Sequence, residues 1–301
     1  MYQLKDFGSY MAGGRVHMVS GQPIETIQFT PTTPYQHDPN GHHLVEHAYV
    51  QYFVPQDRNA EPPVVLVHGG GMTGTMWETT PDGRPGWLHL LLRQGFEVHV
   101  VDNVERGRAG WHPGLWEGEP IVRTMEEAWS LFRIGPKVGF ASRTPFPGQR
   151  FPLSHLEGLC RLFVPRWTST LQVQAAALAQ VLSGLGSSHV ICHSQGAQVV
   201  FSAAELCPGT IQQITALEPS GLPDEGAKDI EAPIKMVFGD FTNTTPIWRA
   251  LIDRCESYAH KSGSDVSWLD LAESGLPGHS HMMMMDEGNE HVLSHVSNFV
   301  D

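Results

Sequence analysis

The stretch Val190-Ile191-Cys192-His193-Ser194-Gln195-Gly196 decides how this chain is read. A β-branched apolar run climbs to Ser194, and Gly196 opens an Ala- and Val-rich run, 197–206, with the composition of a helix. A strand that stops at a serine and turns at once into a helix has the shape of a nucleophile elbow. The tight turn lifts the hydroxyl clear of the sheet edge and points the amide of the next residue, Gln195, at whatever the hydroxyl attacks. Small residues flank such a serine because strand and helix pass close together there. The usual pattern is G-x-S-x-G. Here Cys192, small but not glycine, stands in the first glycine's place.

Upstream, Pro63-Val64-Val65-Leu66-Val67 reads as a buried strand of parallel-sheet character. It ends on His68-Gly69-Gly70-Gly71, where glycine lets the backbone bend sharply and expose N–H groups. Such a loop supplies the second donor of an oxyanion hole, with the Gly70 amide as the candidate beside Gln195. A polar loop over 72–86 with one tryptophan follows, then a helix over 87–94 and a strand over 96–101 that closes on Asp102. The glycine-broken loop 103–110 lies at the carboxyl end of that strand, where open α/β sheets place their sites. From 111 to 166 the pattern changes to Pro, Gly, Trp and Phe with only a short helical period at 124–132. We read this as a cap inserted into a single domain spanning 1–301. Its aromatics (Trp111, Trp116, Trp129, Phe132, Phe140, Phe146, Phe151 and Phe163) suit an apolar acyl or aryl group, or simply glue an irregular segment to the core. A helix over 168–185, capped by Thr168 or Ser169, leads back to the elbow.

Downstream, a strand over 211–217 ends on Glu218-Pro219, and another over 234–240 ends on a second carboxylate, Asp240. A helix over 246–260 and a last strand over 266–271 precede Gly278-His279-Ser280-His281-Met282-Met283-Met284-Met285, and a helix over 289–299 closes the chain. At the other end, runs in 13–31 and 44–55 read as antiparallel strands that begin the sheet. The ground between them holds His37, His42, His43 and His47, whose spacing matches no metal site, so it reads as a solvated His-rich loop.

Composition bounds the partners. The chain has 301 residues, 41% of them hydrophobic and 17% charged, enough for a soluble globular enzyme with a sizeable core. A net charge of −13 argues against a nucleic-acid partner. No apolar stretch approaches the roughly 20 residues needed to span a bilayer. Met1-Tyr2-Gln3-Leu4-Lys5-Asp6 shows no signal peptide. Cys160, Cys192, Cys207 and Cys255 are far apart and read as free thiols of a reducing, cytoplasmic compartment. A homodimer is the base expectation for any self-association.

A serine is a poor nucleophile at neutral pH. It needs a base within hydrogen-bond reach, and that base needs a partner to fix its tautomer. The base is sought in the loop after the final strand, at His279 or His281, with His281 preferred because the methionine run anchors it. Either Glu218 or Asp240 can orient an imidazole, and residue chemistry leaves both open.

Together these parts resemble the α/β-hydrolase superfamily, from about Val64 to the end. The resemblance extends to a small group of bacterial serine esterases, carried by His68-Gly69, Thr73-Gly74, Trp77-Glu78-Thr79-Thr80-Pro81-Asp82-Gly83-Arg84, His193-Ser194-Gln195, Glu218-Pro219, Phe238-Gly239-Asp240 and Ser280-His281-Met282-Met283-Met284. It implies a mostly parallel central sheet flanked by helices, a serine carboxylic-ester hydrolase and no cofactor or metal. It also implies Glu218 as the acid and His281 as the base. That group can carry two adjacent cysteines after the HG pair, where this chain has Gly70-Gly71. Ester hydrolysis through an acyl-enzyme on Ser194 is therefore the expectation. A lactone would react in the same way. Amide or carbon–carbon bond hydrolysis with the same triad, or a non-catalytic binding protein on the same fold, are the alternatives.

Overall fold

The computed structural model describes residues 2–223 and 227–297. Among these, the main sheet has eight strands in the order β1-β4-β6-β5-β7-β8-β9-β10. The strands are β1 (Leu4–Val19), β4 (Gly41–Pro55), β5 (Val64–Val67), β6 (Val98–Asp102), β7 (Ser188–His193), β8 (Ile211–Leu217), β9 (Ile234–Phe238) and β10 (Val266–Asp270). β2 (Glu25–Thr30) and β3 (Thr33–His37) form a separate antiparallel pair. β1 pairs with β4, and β4 with β6, antiparallel; from β6 to β10 every pairing is parallel.

The central parallel strands are rich in apolar residues because helices cover both of their faces. All four residues of β5 and all six of β7 are buried. Alternate residues go to opposite sides, as the strand period requires. Val65, Val67, Val190 and Cys192 face one core with α4 (Leu171–Leu185), α5 (Gln195–Leu206) and α6 (Pro246–Lys261). Val64, Leu66 and Ile191 face the other, with α1 (Trp87–Arg93), α2 (Met125–Leu131), α3 (Leu156–Cys160) and α7 (Asn289–Val296). Met282 to Met285 are all buried in that second core, so the methionine run does anchor the segment behind His281.

Parallel pairing sets the site. Cys192 lies opposite Ala216 and His193 opposite Leu217, so Ser194 and Glu218 follow at the carboxyl ends of adjacent strands. Leu217 lies opposite Val237, which brings the Gly239-Asp240 turn beside Glu218.

Several local expectations are corrected. His37 lies on β3, and His42, His43 and His47 lie on β4; they are strand residues, because β4 starts at Gly41 and runs fifteen residues against β1. Helix α4 starts at Leu171 after Thr170 with no side-chain cap, since Ser169 Oγ donates to the Glu117 carbonyl instead. Positions 298 and 299 of the closing helix lie outside the described residues. All four cysteines carry free thiols. No described helix is long and apolar enough to cross a membrane.

Candidate active site

Ser194 is the hinge between β7 and α5, with φ 51° and ψ −120°. A non-glycine residue in that region carries on the order of 1–3 kcal/mol of backbone strain. The strain is held by its neighbours: the Ser194 amide donates to the Leu217 carbonyl at 2.9 Å, and the Ser194 carbonyl accepts from Ser220 at 3.2 Å. Glu218 (φ 51°) and Arg133 (φ 58°) also have positive φ, which side chains other than glycine's rarely adopt. Gly196 permits the turn. A Cβ there would overlap the His68 carbonyl oxygen, so α5 seats against the end of β5 only without one. Cys192 fits its place as a small, fully buried residue.

Ser194 and His281 line one cavity of about 130 Å³, with Gly69, Gly70, Phe132 and Trp248 in its wall. The His281 ring lies 4.5 Å from His193, 4.6 Å from Trp248 and 5.2 Å from Phe132, centroid to centroid, and so is fixed on three sides. Its backbone is pinned as well. The His281 amide donates to Phe132 at 3.0 Å, and His193 Nε2 donates to the His281 carbonyl at 2.9 Å. His281 Nδ1 stands 3.3 Å from Glu218 Oε2. With the Nδ1 proton on that carboxylate, Nε2 is left as the unprotonated acceptor.

Glu218 is wholly buried and multiply bound. Arg133, also wholly buried, donates from Nη1 to Oε2 at 2.8 Å and from Nη2 to Oε1; the Gly239 amide donates to Oε1 at 2.6 Å. Burial alone would push this carboxyl up, but the Arg133 charge and the His281 contact overcome it and hold it at about 2. His281 is pulled below its ordinary value by burial, against the opposing pull of Glu218. His193 is driven well below the usual imidazole range by burial, then by His281.

Asp240 is turned elsewhere. Its Oδ1 accepts from the Phe241 amide at 2.7 Å and its Oδ2 from the Gly278 amide at 3.0 Å, while its own amide donates to His279. It ties the loop that carries His281 to the end of β9. His279 is buried with Nδ1 3.4 Å from Asp286, which also accepts from the Ser280 amide and hydroxyl. The structure thus brings Ser194, His281 and Glu218 together and leaves Asp240 and His279 in supporting positions.

Gly70 lines the Ser194 cavity, and Gln195 is the first residue of α5, where a helix leaves its amide without an internal acceptor. The loop carrying Gly70 is braced by His68. Its Nδ1 donates to the Gly69 carbonyl at 2.9 Å and its Nε2 accepts from the Asn103 amide at 3.1 Å. Burial, then the Arg106 charge, lower His68 to about 4, so it stays neutral in this role.

Arg133, and the contacts that the loop over 72–86 makes, escaped the sequence reading. Nothing marks Arg133 except a cation among apolar neighbours, Phe132 and Ile134. In the loop, Thr80 and Arg84 converge on Asp82, and Arg84 donates to the Asp286 and Met285 carbonyls, both at 2.8 Å. That motif clamps the segment behind His281. Among the 111–166 aromatics, Phe132 reaches the Ser194 cavity, whereas Trp129 and Phe151 are core. Trp111 and Trp116 line a separate cavity of about 730 Å³ with Trp167. Among the described residues no group of three His, Cys, Asp or Glu is placed to hold a metal ion.

No family model matches the chain. The curated protein "probable secreted lipase phiG" of Fungal sp. (strain ATCC 74256) is 24% identical over 308 residues, covering 80% of this chain and 82% of that protein. The solved structure of a protein described as a novel bacterial esterase is 29% identical, covers 99% of this chain and 96% of its own, and superposes with a TM-score of 0.85.

Proposed function

We propose that this chain, an α/β-hydrolase, hydrolyses carboxylic esters through an acyl-enzyme formed on Ser194. The observation that carries the proposal is the run of contacts Arg133–Glu218–His281 ending at a cavity that Ser194 shares. The similarity to an esterase over nearly the whole chain supports ester chemistry. The similarity to a lipase agrees with it.

The Ser194 hydroxyl attacks the ester carbonyl while His281 Nε2 takes its proton. Glu218 keeps the other proton on Nδ1 and stabilises the imidazolium that forms. The amides of Gln195 and Gly70 hold the tetrahedral oxyanion; loss of one such donor typically raises the barrier by about 3 kcal/mol. The intermediate collapses, the C–O bond breaks, and His281 returns the proton to the leaving alcohol. Water, deprotonated by the same imidazole, then releases the acid and restores Ser194. Residues 111–166 act as the cap, supported by their share of the cavity wall: Arg123, Leu131, Phe132 and Arg166.

Two further proposals accompany this. Four free thiols support a reducing, cytoplasmic location. The fully exposed β2–β3 pair supports a homodimer.

The test is turnover of p-nitrophenyl esters by wild type and Ser194→Ala, with a fluorophosphonate label. Wild-type turnover, loss of at least about a thousandfold in the variant, and labelling of wild type alone are expected. Equal turnover by the two proteins would overturn the proposal.

A further inference from the structure

The wall of the Ser194 cavity carries two arginines, Arg123 and Arg166, for which the ester chemistry above has no use. No Asp or Glu stands among the described residues that line it. The two cations are set side by side by the backbone. Ile121 and Arg166 exchange both amide-to-carbonyl hydrogen bonds, at 2.8 and 3.1 Å, so the chain leading to Arg123 runs along Arg166.

Around this site the other buried cations are answered by carboxylates. Arg133 has Glu218, and Arg106 has Glu105 at 3.0 Å. Arg123 has Glu127 at 2.6 Å and lies 5.3 Å over the Phe132 ring. Arg166 differs: its Nε, like that of Arg106, is buried with no hydrogen-bond partner among the described residues, but no described carboxylate stands within ion-pair distance of it. Glu105 and Glu127 act on it only through space, while burial and the Arg106 and Arg123 charges weigh against its cationic form. A guanidinium in that setting is a preformed fork for an anion, and a carboxylate matches it with two parallel hydrogen bonds.

The guanidinium also lies against the oxyanion loop. A Cβ on Gly70 would overlap Arg166 Nη1 and stand 3.2 Å from Gln195 Oε1. An anion on Arg166 therefore sits only a few bonds from the carbonyl that Ser194 attacks. The cavity, at about 130 Å³, is close to the engineered cavity of about 150 Å³ that accepts one benzene, so it takes a short group.

We propose that Arg166, with Arg123 beside it, binds a carboxylate on the substrate, and that the enzyme prefers small anionic esters such as half-esters of short dicarboxylic acids. This rests on the ester-hydrolase reading and narrows it. Arg166 is assigned here to substrate binding, with no part in proton transfer.

The test compares two matched pairs by pH-stat. One is monomethyl succinate with its neutral methyl-ketone counterpart, methyl 4-oxopentanoate, for a carboxylate on the acyl side. The other is acetoxyacetate with acetoxyacetone, for one on the alcohol side. Wild type is expected to favour the anion in at least one pair, by about tenfold or more in kcat/KM, mainly through KM. In Arg166→Met that ratio should fall at least about tenfold, and Arg166→Lys should restore part of it. Free succinate should inhibit wild-type turnover of a neutral ester competitively and lose potency in Arg166→Met.

If wild type turns over the neutral esters with no preference in either pair, the inference fails and ester hydrolysis stands. If Arg166→Met slows both members of a pair equally, the arginine serves the oxyanion or the fold and the inference fails. If wild type hydrolyses none of these esters and Ser194 resists the fluorophosphonate, the ester reading fails and takes the inference with it.

Discussion

Glu218 is bound by Arg133 and by the Gly239 amide as well as by His281, so the carboxylate is positioned by the fold before the imidazole uses it. Removing its charge leaves a buried guanidinium without its partner and a histidine free to choose the wrong tautomer. Glu218→Gln should lower kcat by about two to four orders of magnitude. Asp240 makes only backbone contacts to the base loop, so Asp240→Asn should keep activity within about tenfold. The two variants side by side check the assignment of the acid. The pH profile follows from the proposed role of His281 as the base. The base works only when neutral, so activity is present above its pKa and lost as pH falls through it. Burial lowers that pKa, so the acid limb of kcat/KM should have its midpoint below the usual histidine value of about 6.5. A midpoint above that value would contradict the environment described for the ring.

At the scale of elements, the β7–Ser194–α5 turn depends on close approach of α5 to the end of β5. Gly196→Ala places a methyl group on the His68 carbonyl, and neither backbone is free to move without disturbing the Gly69-Gly70 loop. The change should cost about 1–3 kcal/mol of stability, and activity should fall with it. Gly184 is the contrasting case. It lies inside α4, exposed, and a methyl group there would meet nothing within 4 Å, so Gly184→Ala should stabilise the protein by about 0.5–1 kcal/mol. Urea denaturation of the two variants tests both signs in one experiment. The Thr80-Asp82-Arg84 cluster shows how one element serves another: its hydrogen bonds fix the carbonyls of Met285 and Asp286 some two hundred residues away in sequence.

At the scale of the whole molecule, the central strands β5, β6 and β7 are wholly buried while the amino-terminal edge of the sheet is open. Every residue of β2 and β3 is exposed, among them Phe29 at 72% and Tyr35 at 51%. β1 at the sheet edge adds Phe7 and Met11. An isolated two-stranded hairpin is at best marginally stable in water, so these apolar residues call for cover. Light scattering of the purified protein should report a dimer, and Phe29→Ser should shift it towards monomer while turnover per chain changes little. A wild-type monomer at micromolar concentration would exclude this face as a self-association surface. The net charge of −13 opposes association, so added salt should favour the dimer.

The sequence by itself determined the parallel sheet and the strand–turn–helix at Ser194, and it set out the chain order Ser194, Glu218, His281 that the proposed triad uses, because these depend on local periodicity and on glycine at named positions. The runs at Val64–Val67 and Val190-Ile191 are apolar throughout for the reason that places them between two cores. Two matters lay beyond the chemistry of the residues themselves. Glu218 and Asp240 both end strands, and only the side-chain directions after β8 and β9 separate one that faces His281 from one that faces Gly278. Arg133, Arg166 and Trp248 come from three distant segments with no motif of their own. Their meaning arises where the strand ends, α6 and residues 111–166 converge on one cavity, and convergence of that kind belongs to tertiary packing rather than to any local pattern.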